Sequence, residues 1–308
     1  MQNKSLSTNQ VIYVTEPSEV DGASIEMLRT AGYQVAESMD ELEMDQVIAL
    51  FIRTYTQATE SYLSQFKNLR YVLRAGVGLD NIDLDVCQKR NIQVFNSPGA
   101  NKEAVAEYIV AMAILMIRKI PHQIGRVKSG GWRDVSCVGT GIKGKTIGLV
   151  GCGNVGRDVV DKMSHLKVKF VGYDPYVTGE ALSAIGVTKV ELNELLKIAD
   201  VVVIMLPLTK ETNKLINKTN ILLMKQDAIF INVSRGEIVD HKVIISALKK
   251  GAIGGVVLDV IEGEPNVDSR YLEISNVIIT PHIAGFTQEA NAQISIDAVS
   301  NFLKAVQQ

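Results

Sequence analysis

The chain is expected to be an α/β protein built as two doubly wound parallel-sheet domains, and three observations carry that expectation. Its 308 residues exceed what one ordinary hydrophobic core accommodates, so two domains that each bury their own interior suit the length. Short apolar runs alternate with polar segments of helical spacing along nearly all of it. The later runs are almost continuously apolar, as in parallel strands covered on both faces.

From Val11 to Asn96 the runs VIYVTE, YQVAE, VIALFIR, YVLRAG and IQVFN read as strands, and GASIEMLRTAG and NIDLDVCQKR between them read as helices. After the turn SPGAN, the spacing predicts a helix from about Lys102 to Ile120, stopped by Pro121. Its surface is apolar nearly all round, which suggests burial between domains or subunits. Strands resume at KTIGLV and repeat through KFVGYD, VVVIMLP, AIFINVS, IGGVVLDV and VIITP. A last helix, about Gln288 to Val306, has no strand after it.

Composition narrows the function classes. With 46% hydrophobic and 21% charged residues and a net charge of -2, the chain reads as soluble and globular, with no general pull toward nucleic acid or an anionic membrane. Small molecules and other protein subunits are the expected partners. Cys87, Cys137 and Cys152 are odd in number and lack metal-type spacing. That argues against a disulfide framework and a zinc site and for a reducing compartment, the cytoplasm. The opening MQNKSLSTNQVIYVTE has no apolar core of signal-peptide length, and AEYIVAMAILMI is too short to span a bilayer.

The motif with the clearest chemistry is GCGNVG, between the strand KTIGLV and the helical RDVVDKMSHL. Gly151 permits a tight turn, Gly153 lets the backbone approach a pyrophosphate, and Gly156 allows close helix-to-strand packing, while the helix N-terminus offers N–H groups to the anion. The next strand ends in Asp174, where a carboxylate can bind both ribose hydroxyls. That acid repels the 2′-phosphate of NADP, and Pro175, Tyr176 and Val177 bring no arginine to hold one, so NAD is expected.

Three further residues follow successive strands. Arg235, in the turn after AIFINVS, can grip a carboxylate with two parallel hydrogen bonds and polarise a neighbouring carbonyl. LDVIEGEP carries Asp259, Glu262 and Glu264, each of which could equally be a solvated loop acid. His282 lies in TPHIAGF, beyond VIIT. Reduction of a 2-keto acid needs a cation for the carboxylate, a hydride donor and an acid for the forming alkoxide. Histidine suits the last role, with Glu264 able to hold its tautomer and favour its protonated form. Arg235, Glu264 and His282 are therefore the catalytic candidates.

Over almost its whole length the chain resembles the D-isomer-specific 2-hydroxyacid dehydrogenases, through RAGVGLDNID, NSPGANKEAVAE, GKTIGLVGCGNVG, LPLTKET, INVSRGEIVD, LDVIEGEP and TPHIAGFT. The resemblance implies the same catalytic set and a Rossmann NAD domain, residues 101–283, inserted into a flavodoxin-like substrate domain, residues 1–100 plus 284–308. It implies cofactor contacts at Gly151, Gly153, Asn154, Val155, Gly156, Asp174, Leu206, Pro207, Thr212, Val233, Ser234, Asp259 and Gly285. Substrate-carboxylate contacts are implied at Val77 and Gly78, and a homodimer through the Lys102–Ile120 helix. Closure of the domains on substrate is expected at hinges near residues 96–102 and 282–288.

RAGVGLDNID and GANKEAVAE are similar to the D-3-phosphoglycerate dehydrogenase branch, whose members act in serine biosynthesis. There Arg53, Arg74 and Arg133 match positions that can hold a substrate phosphate, in addition to Arg235 for the carboxylate. No stretch of this chain remains for the regulatory domain that many of that branch carry, so serine feedback through such a domain is not expected. Hydroxypyruvate, glyoxylate or another small acid is the alternative substrate. A non-enzymatic NAD-binding scaffold of the corepressor kind is the alternative from another class. Glu264 disfavours the formate dehydrogenases, which have glutamine there.

Overall fold

The computed structural model describes residues 10–306. Residues 1–9, on which part of the expectation about a leader rests, lie outside the described residues. The chain divides into two compact units, one that runs to Asn101 and resumes at Phe286, and one spanning Lys102–Gly285. Among the described residues no helix is long and apolar enough to cross a membrane.

The first unit is a five-stranded sheet of β1 (Val11–Val14), β2 (Gln34–Ala36), β3 (Val47–Ile52), β4 (Tyr71–Arg74) and β5 (Gln93–Phe95). Its order, β2-β1-β3-β4-β5, is all parallel and is the flavodoxin-like winding. All six residues of β3, VIALFI, are buried, as a central strand covered on both faces requires. Helices α1 (Gly22–Thr30), α2 (Glu60–Leu63) and α3 (Leu84–Lys89) connect the strands. Asp21 and Asp83 accept the backbone N–H groups of Ala23 and Val86 and so cap α1 and α3.

The second unit holds seven parallel strands: β6 (Thr146–Val150), β7 (Lys169–Tyr173), β8 (Val187–Lys189), β9 (Val201–Ile204), β10 (Ile229–Asn232), β11 (Gly255–Leu258) and β12 (Val277–Ile279). Their order is β12-β11-β10-β9-β6-β7-β8. The winding reverses between β6 and β9, the switch-point arrangement of a Rossmann sheet. The expected fold class is therefore what the chain adopts. β8 escaped the sequence reading because it has only three residues, two of them exposed, too few for a period-2 signal. The helices here are α4 (Lys102–Ile117), α5 (Ile120–Lys128), α6 (Asn154–Ser164), α7 (Gly179–Ser183), α8 (Leu192–Ile198), α9 (His241–Lys249) and α10 (Ser269–Leu272).

The helix expected to run from Lys102 to Ile120 differs. It ends at Ile117, Lys119 adopts φ 54°, and Pro121 falls in the first turn of α5 instead of terminating α4. A proline is favoured there because its missing N–H would have no partner in a first turn anyway. The apolar surface of α4 also has a partner within its own unit. Val105, Ala106, Ile109, Ala113, Met116 and Ile117 are buried in one cluster with residues of α6 and the sheet.

The last helix, α11 (Gln288–Val306), belongs to the first unit. It packs on α1 and places Phe302 among the rings of Tyr71, Tyr33 and Phe95, at 5.1, 5.5 and 5.8 Å between centroids. Removing such a ring from a packed core costs about 3–5 kcal/mol, so α11 is an integral part of that core although its sequence lies far from it.

Candidate active site

The loops that follow β6, β9, β10, β11 and β12 all leave the carboxyl edge of the seven-stranded sheet, where ligands of such sheets bind. The glycine loop occupies the switch point. Gly151 has φ 96°, and a Cβ on it would stand 2.9 Å from the carbonyl carbon of Met205 in the loop after β9. A Cβ on Gly156 would stand 3.1 Å from Gly151 O. At Gly153 the space around an added Cβ is open; this exposed residue is the N-cap of α6, and no side chain caps that helix end. An anion approaching there meets backbone N–H groups and the positive end of the helix dipole.

Asp174 directly follows β7 beside this loop, buried, and its two oxygens accept the N–H groups of Cys152 and Tyr176 at 2.9 Å each. The carboxylate is thus fixed against the glycine turn. Burial, foremost, pushes the Cys152 thiol up to about 12, so it stays neutral beneath the loop. Asn154 and Val155 open α6. Thr212 Oγ1 donates to Pro207 O at 2.7 Å within the loop after β9, and Ser234 Oγ donates to Leu206 O, tying that loop to the one after β10. Val233 and Ser234 directly follow β10, and Gly285 closes the unit. A tight-turning glycine, an open one at a helix N-terminus and a fixed acid one strand away are what a dinucleotide needs, and this part of the chain fits NAD.

His282 and Glu264 meet: Nδ1 of the imidazole lies 2.9 Å from Oε2 of the carboxylate. The other carboxylate oxygen, Oε1, accepts the N–H of Ile261 at 3.1 Å. Burial is the largest single influence on Glu264 and pushes its pKa up. The hydrogen bond and charge of His282, the Ile261 N–H and the charge of Arg235 outweigh it, and the carboxyl is held below its ordinary range. Arg235 is half-buried, and its Nη1 donates to Ser234 O at 2.7 Å.

His282 has φ 55°, a conformation that residues other than glycine adopt only when their surroundings impose it. Asp259 imposes it. Its carbonyl accepts the His282 N–H at 2.9 Å, Oδ1 accepts from Ile283 N at 2.8 Å and from Thr280 Oγ1 at 2.6 Å, and Oδ2 accepts from Ala284 N at 2.8 Å. The Tyr108 hydroxyl is 2.6 Å from Thr280 Oγ1, and burial raises that phenol to about 12. The sequence reading missed Thr280 and Tyr108. Thr280 opens the TPH segment and could have been suspected, but Tyr108 lies 172 positions away inside an apolar helix pattern that gives no hint of it.

The arginines considered for a phosphate sit in different settings. Arg74 ends β4 and Arg53 directly follows the neighbouring β3 in the first unit, where Arg74 pairs in register with Ile52. Arg53 is 5% exposed, stands 3.8 Å from Glu19 and lies 5.5 Å from the Phe286 ring centroid. Its Nη1 is buried without a hydrogen-bond partner among the described residues. Burial, opposed by Glu19 and Glu16, lowers its pKa. The Arg74 guanidinium folds over Gly76, where an added Cβ would coincide with Nη1. Val77 is exposed, and its carbonyl accepts from Asn96 Nδ2 at 2.7 Å, which fixes the loop that continues through Gly78. Arg133 is exposed in the second unit.

A glycine loop at the switch point of a Rossmann sheet, with a fixed acid one strand away, defines a dinucleotide-binding class of protein. The family model of the D-isomer specific 2-hydroxyacid dehydrogenase, NAD binding domain, matches residues 110–284, and the chain belongs to that family. It is 36% identical over 292 residues to the D-3-phosphoglycerate dehydrogenase of Archaeoglobus fulgidus, covering 92% of this chain and 55% of that one. It is likewise 36% identical over 283 residues to the enzyme of that name from Synechocystis, covering 90% and 51%. The chain thus spans about half the length of these relatives. Among solved structures, D-lactate dehydrogenase from Aquifex aeolicus complexed with NAD and lactic acid superimposes with a TM-score of 0.84 at 28% identity, over 97% of this chain and 96% of that one.

Proposed function

We propose that the chain is an NAD-dependent D-2-hydroxyacid dehydrogenase that interconverts 3-phosphoglycerate and 3-phosphohydroxypyruvate. The observation that carries the dehydrogenase reading is the His282–Glu264 pair, 2.9 Å apart, on the sheet edge that also bears Arg235 and the glycine loop. NAD held at that loop would supply the hydride acceptor for oxidation, and its reduced form the hydride donor for reduction. Arg235 grips the substrate carboxylate. His282, with Nδ1 engaged by Glu264, uses its remaining nitrogen to give a proton to the forming alkoxide, and to take it back in the reverse direction. The same fixed carboxylate of Asp174 that would receive the ribose hydroxyls disfavours NADP.

The phosphate is assigned to Arg53 and Arg74. The buried Nη1 of Arg53 supports this, since a guanidinium nitrogen removed from water without an acceptor calls for one. The relatives named for phosphoglycerate support it as well. On this reading residues 102–285 hold the cofactor and the first unit serves the substrate. The three free cysteines support a cytoplasmic setting.

The test is the initial rate of NADH oxidation with 3-phosphohydroxypyruvate, hydroxypyruvate, glyoxylate and pyruvate. The phosphorylated acid is expected to have the highest kcat/KM, and Arg53→Ala to erode that preference by about tenfold or more, the worth of one charge-assisted contact. A wild-type preference for an unphosphorylated acid would remove phosphoglycerate and leave the hydride chemistry in place.

A homodimer through residues 102–120 is also proposed, with the surface continuing beyond that helix. Ile124, Val127, Trp132, Val135 and Val138 are exposed, Trp132 by 77% and Val135 by 90%, and apolar side chains so placed favour a covering partner. Sedimentation should show a dimer at micromolar concentration that Trp132→Glu weakens. A monomeric wild type would refute the assembly.

A further inference from the structure

His241 opens α9, and its ring reaches two separate segments of the candidate active site. Nε2 lies 3.1 Å from Gly236 O and 3.3 Å from Glu262 N, and Nδ1 lies 2.8 Å from the Tyr271 hydroxyl. Gly236 is the residue after Arg235, and Glu262 stands two residues before Glu264. The two segments also touch directly. A Cβ on Gly236 would stand 2.1 Å from Glu262 N and from the Ile261 carbonyl carbon, so only glycine permits this approach. Ile261 in turn donates its N–H to Glu264 Oε1. The arginine turn and the glutamate loop are therefore pressed together, with one imidazole nitrogen within hydrogen-bond distance of both.

Tyr271 backs the ring. It is 2% exposed, meets His241 edge-on at 5.9 Å and 87°, and burial raises its pKa so that it stays a neutral hydroxyl. The neutral imidazole has one donor and one acceptor, and each tautomer is fully bonded here. With its proton on Nε2 the ring donates to Gly236 O and accepts the tyrosine O–H at Nδ1. With the proton on Nδ1 it donates to Tyr271, whose O–H turns to His241 O at 3.5 Å, and Nε2 accepts the Glu262 N–H. Burial, its largest influence, lowers the His241 pKa, which favours the neutral ring, whose two tautomers hold one segment or the other through Nε2 while Nδ1 keeps Tyr271.

We propose that His241, supported by Tyr271, is a positioning residue that pins the Arg235 turn to the Glu264 loop and so sets the placement of the carboxylate grip against the His282–Glu264 pair. Its kinetic consequence rests on the dehydrogenase reading above; the pinning itself does not.

The variants are His241→Phe, which fills the volume without hydrogen bonds, His241→Gln, which restores a donor and an acceptor, and Tyr271→Phe, which deletes one oxygen. Each is followed by amide hydrogen exchange and by NADH-dependent keto-acid reduction. In His241→Phe the peptides covering residues 235–239 and 259–264 should exchange about fivefold faster or more, with those covering 146–173 unchanged. The KM for the keto acid should rise about tenfold, as for a misplaced binding group, while NADH affinity is retained. His241→Gln should recover most of both effects, and Tyr271→Phe should show a smaller version. Exchange in the two segments within twofold of wild type in both the His241→Phe and Tyr271→Phe proteins would overturn the proposal, as would a failure of Gln to rescue. If His241→Phe does not fold, Tyr271→Phe decides alone. Wild-type protein that reduces no keto acid would refute the dehydrogenase reading, and the exchange result would still decide the pinning.

Discussion

His282→Ala is expected to lower kcat for keto-acid reduction by about 10²–10⁴-fold, the usual contribution of a positioned general acid, while NADH affinity stays within about twofold of wild type. The two halves of the expectation have separate structural sources. The imidazole is 40% exposed and hydrogen-bonded to Glu264, so its loss removes a proton donor without opening a core. The glycine loop and Asp174 are held by their own bonds to Cys152 and Tyr176, none of which involves His282. Steady-state kinetics beside NADH fluorescence titration separates the two. A variant that keeps more than a tenth of the wild-type kcat would rule out His282 as the acid.

The pH dependence follows from Glu264. Its carboxyl is held below the ordinary range, so the ionised form that bonds His282 is present at neutral pH and is lost only as pH falls through that lowered pKa. Glu264→Gln keeps the shape and an acceptor oxygen but removes the charge. The fall in reduction rate that wild type should show as pH drops through the lowered Glu264 pKa should therefore be absent from the variant. Superimposable profiles for the two proteins would show that the carboxylate serves geometry alone.

The parts of this molecule written locally were legible before any coordinates. The periodicity of VIALFI and VVVI, the glycine spacing of GCGNVG and the acid closing KFVGYD are each contained within a few residues, and the strands and the dinucleotide loop follow from them. The extent of α4 was misread because Pro121 is equally a helix stop and a favoured first-turn residue, and the choice depends on Lys119, whose left-handed backbone has no sequence signature. The supports of the site were the least legible. Tyr108, His241 and Tyr271 reach their partners through tertiary packing, and a tyrosine in an apolar helix or a histidine after a capping aspartate looks the same whether it touches the site or not. Asp259 shows the complementary limit. Its carboxylate is taken up by Thr280, Ile283 and Ala284, a role in shaping the His282 turn that the motif LDVIEGEP does not express.

Arg235→Lys should be damaging although it preserves charge. A guanidinium presents parallel N–H donors that match both oxygens of a carboxylate, whereas an ammonium is a point charge that cannot keep that fork. Losing one charge-assisted hydrogen bond costs about 1.5–3 kcal/mol, which predicts a fall in kcat/KM of about 10- to 150-fold, and distortion of the bound keto acid adds to it because the carbonyl is no longer held in line. The setting in this chain sharpens the expectation. Arg235 already donates to Ser234 O through Nη1, so the guanidinium is oriented by the backbone while its other nitrogens remain on the same rigid plane. A lysine chain has no planar group to orient in this way. The next residue, Gly236, is seated so closely on Ile261 and Glu262 that the backbone has little freedom to re-aim a substitute. The loss should appear mainly in the KM for the keto acid, with NADH affinity unchanged. A lysine variant whose KM stays within threefold of wild type would mean that the carboxylate is bound elsewhere.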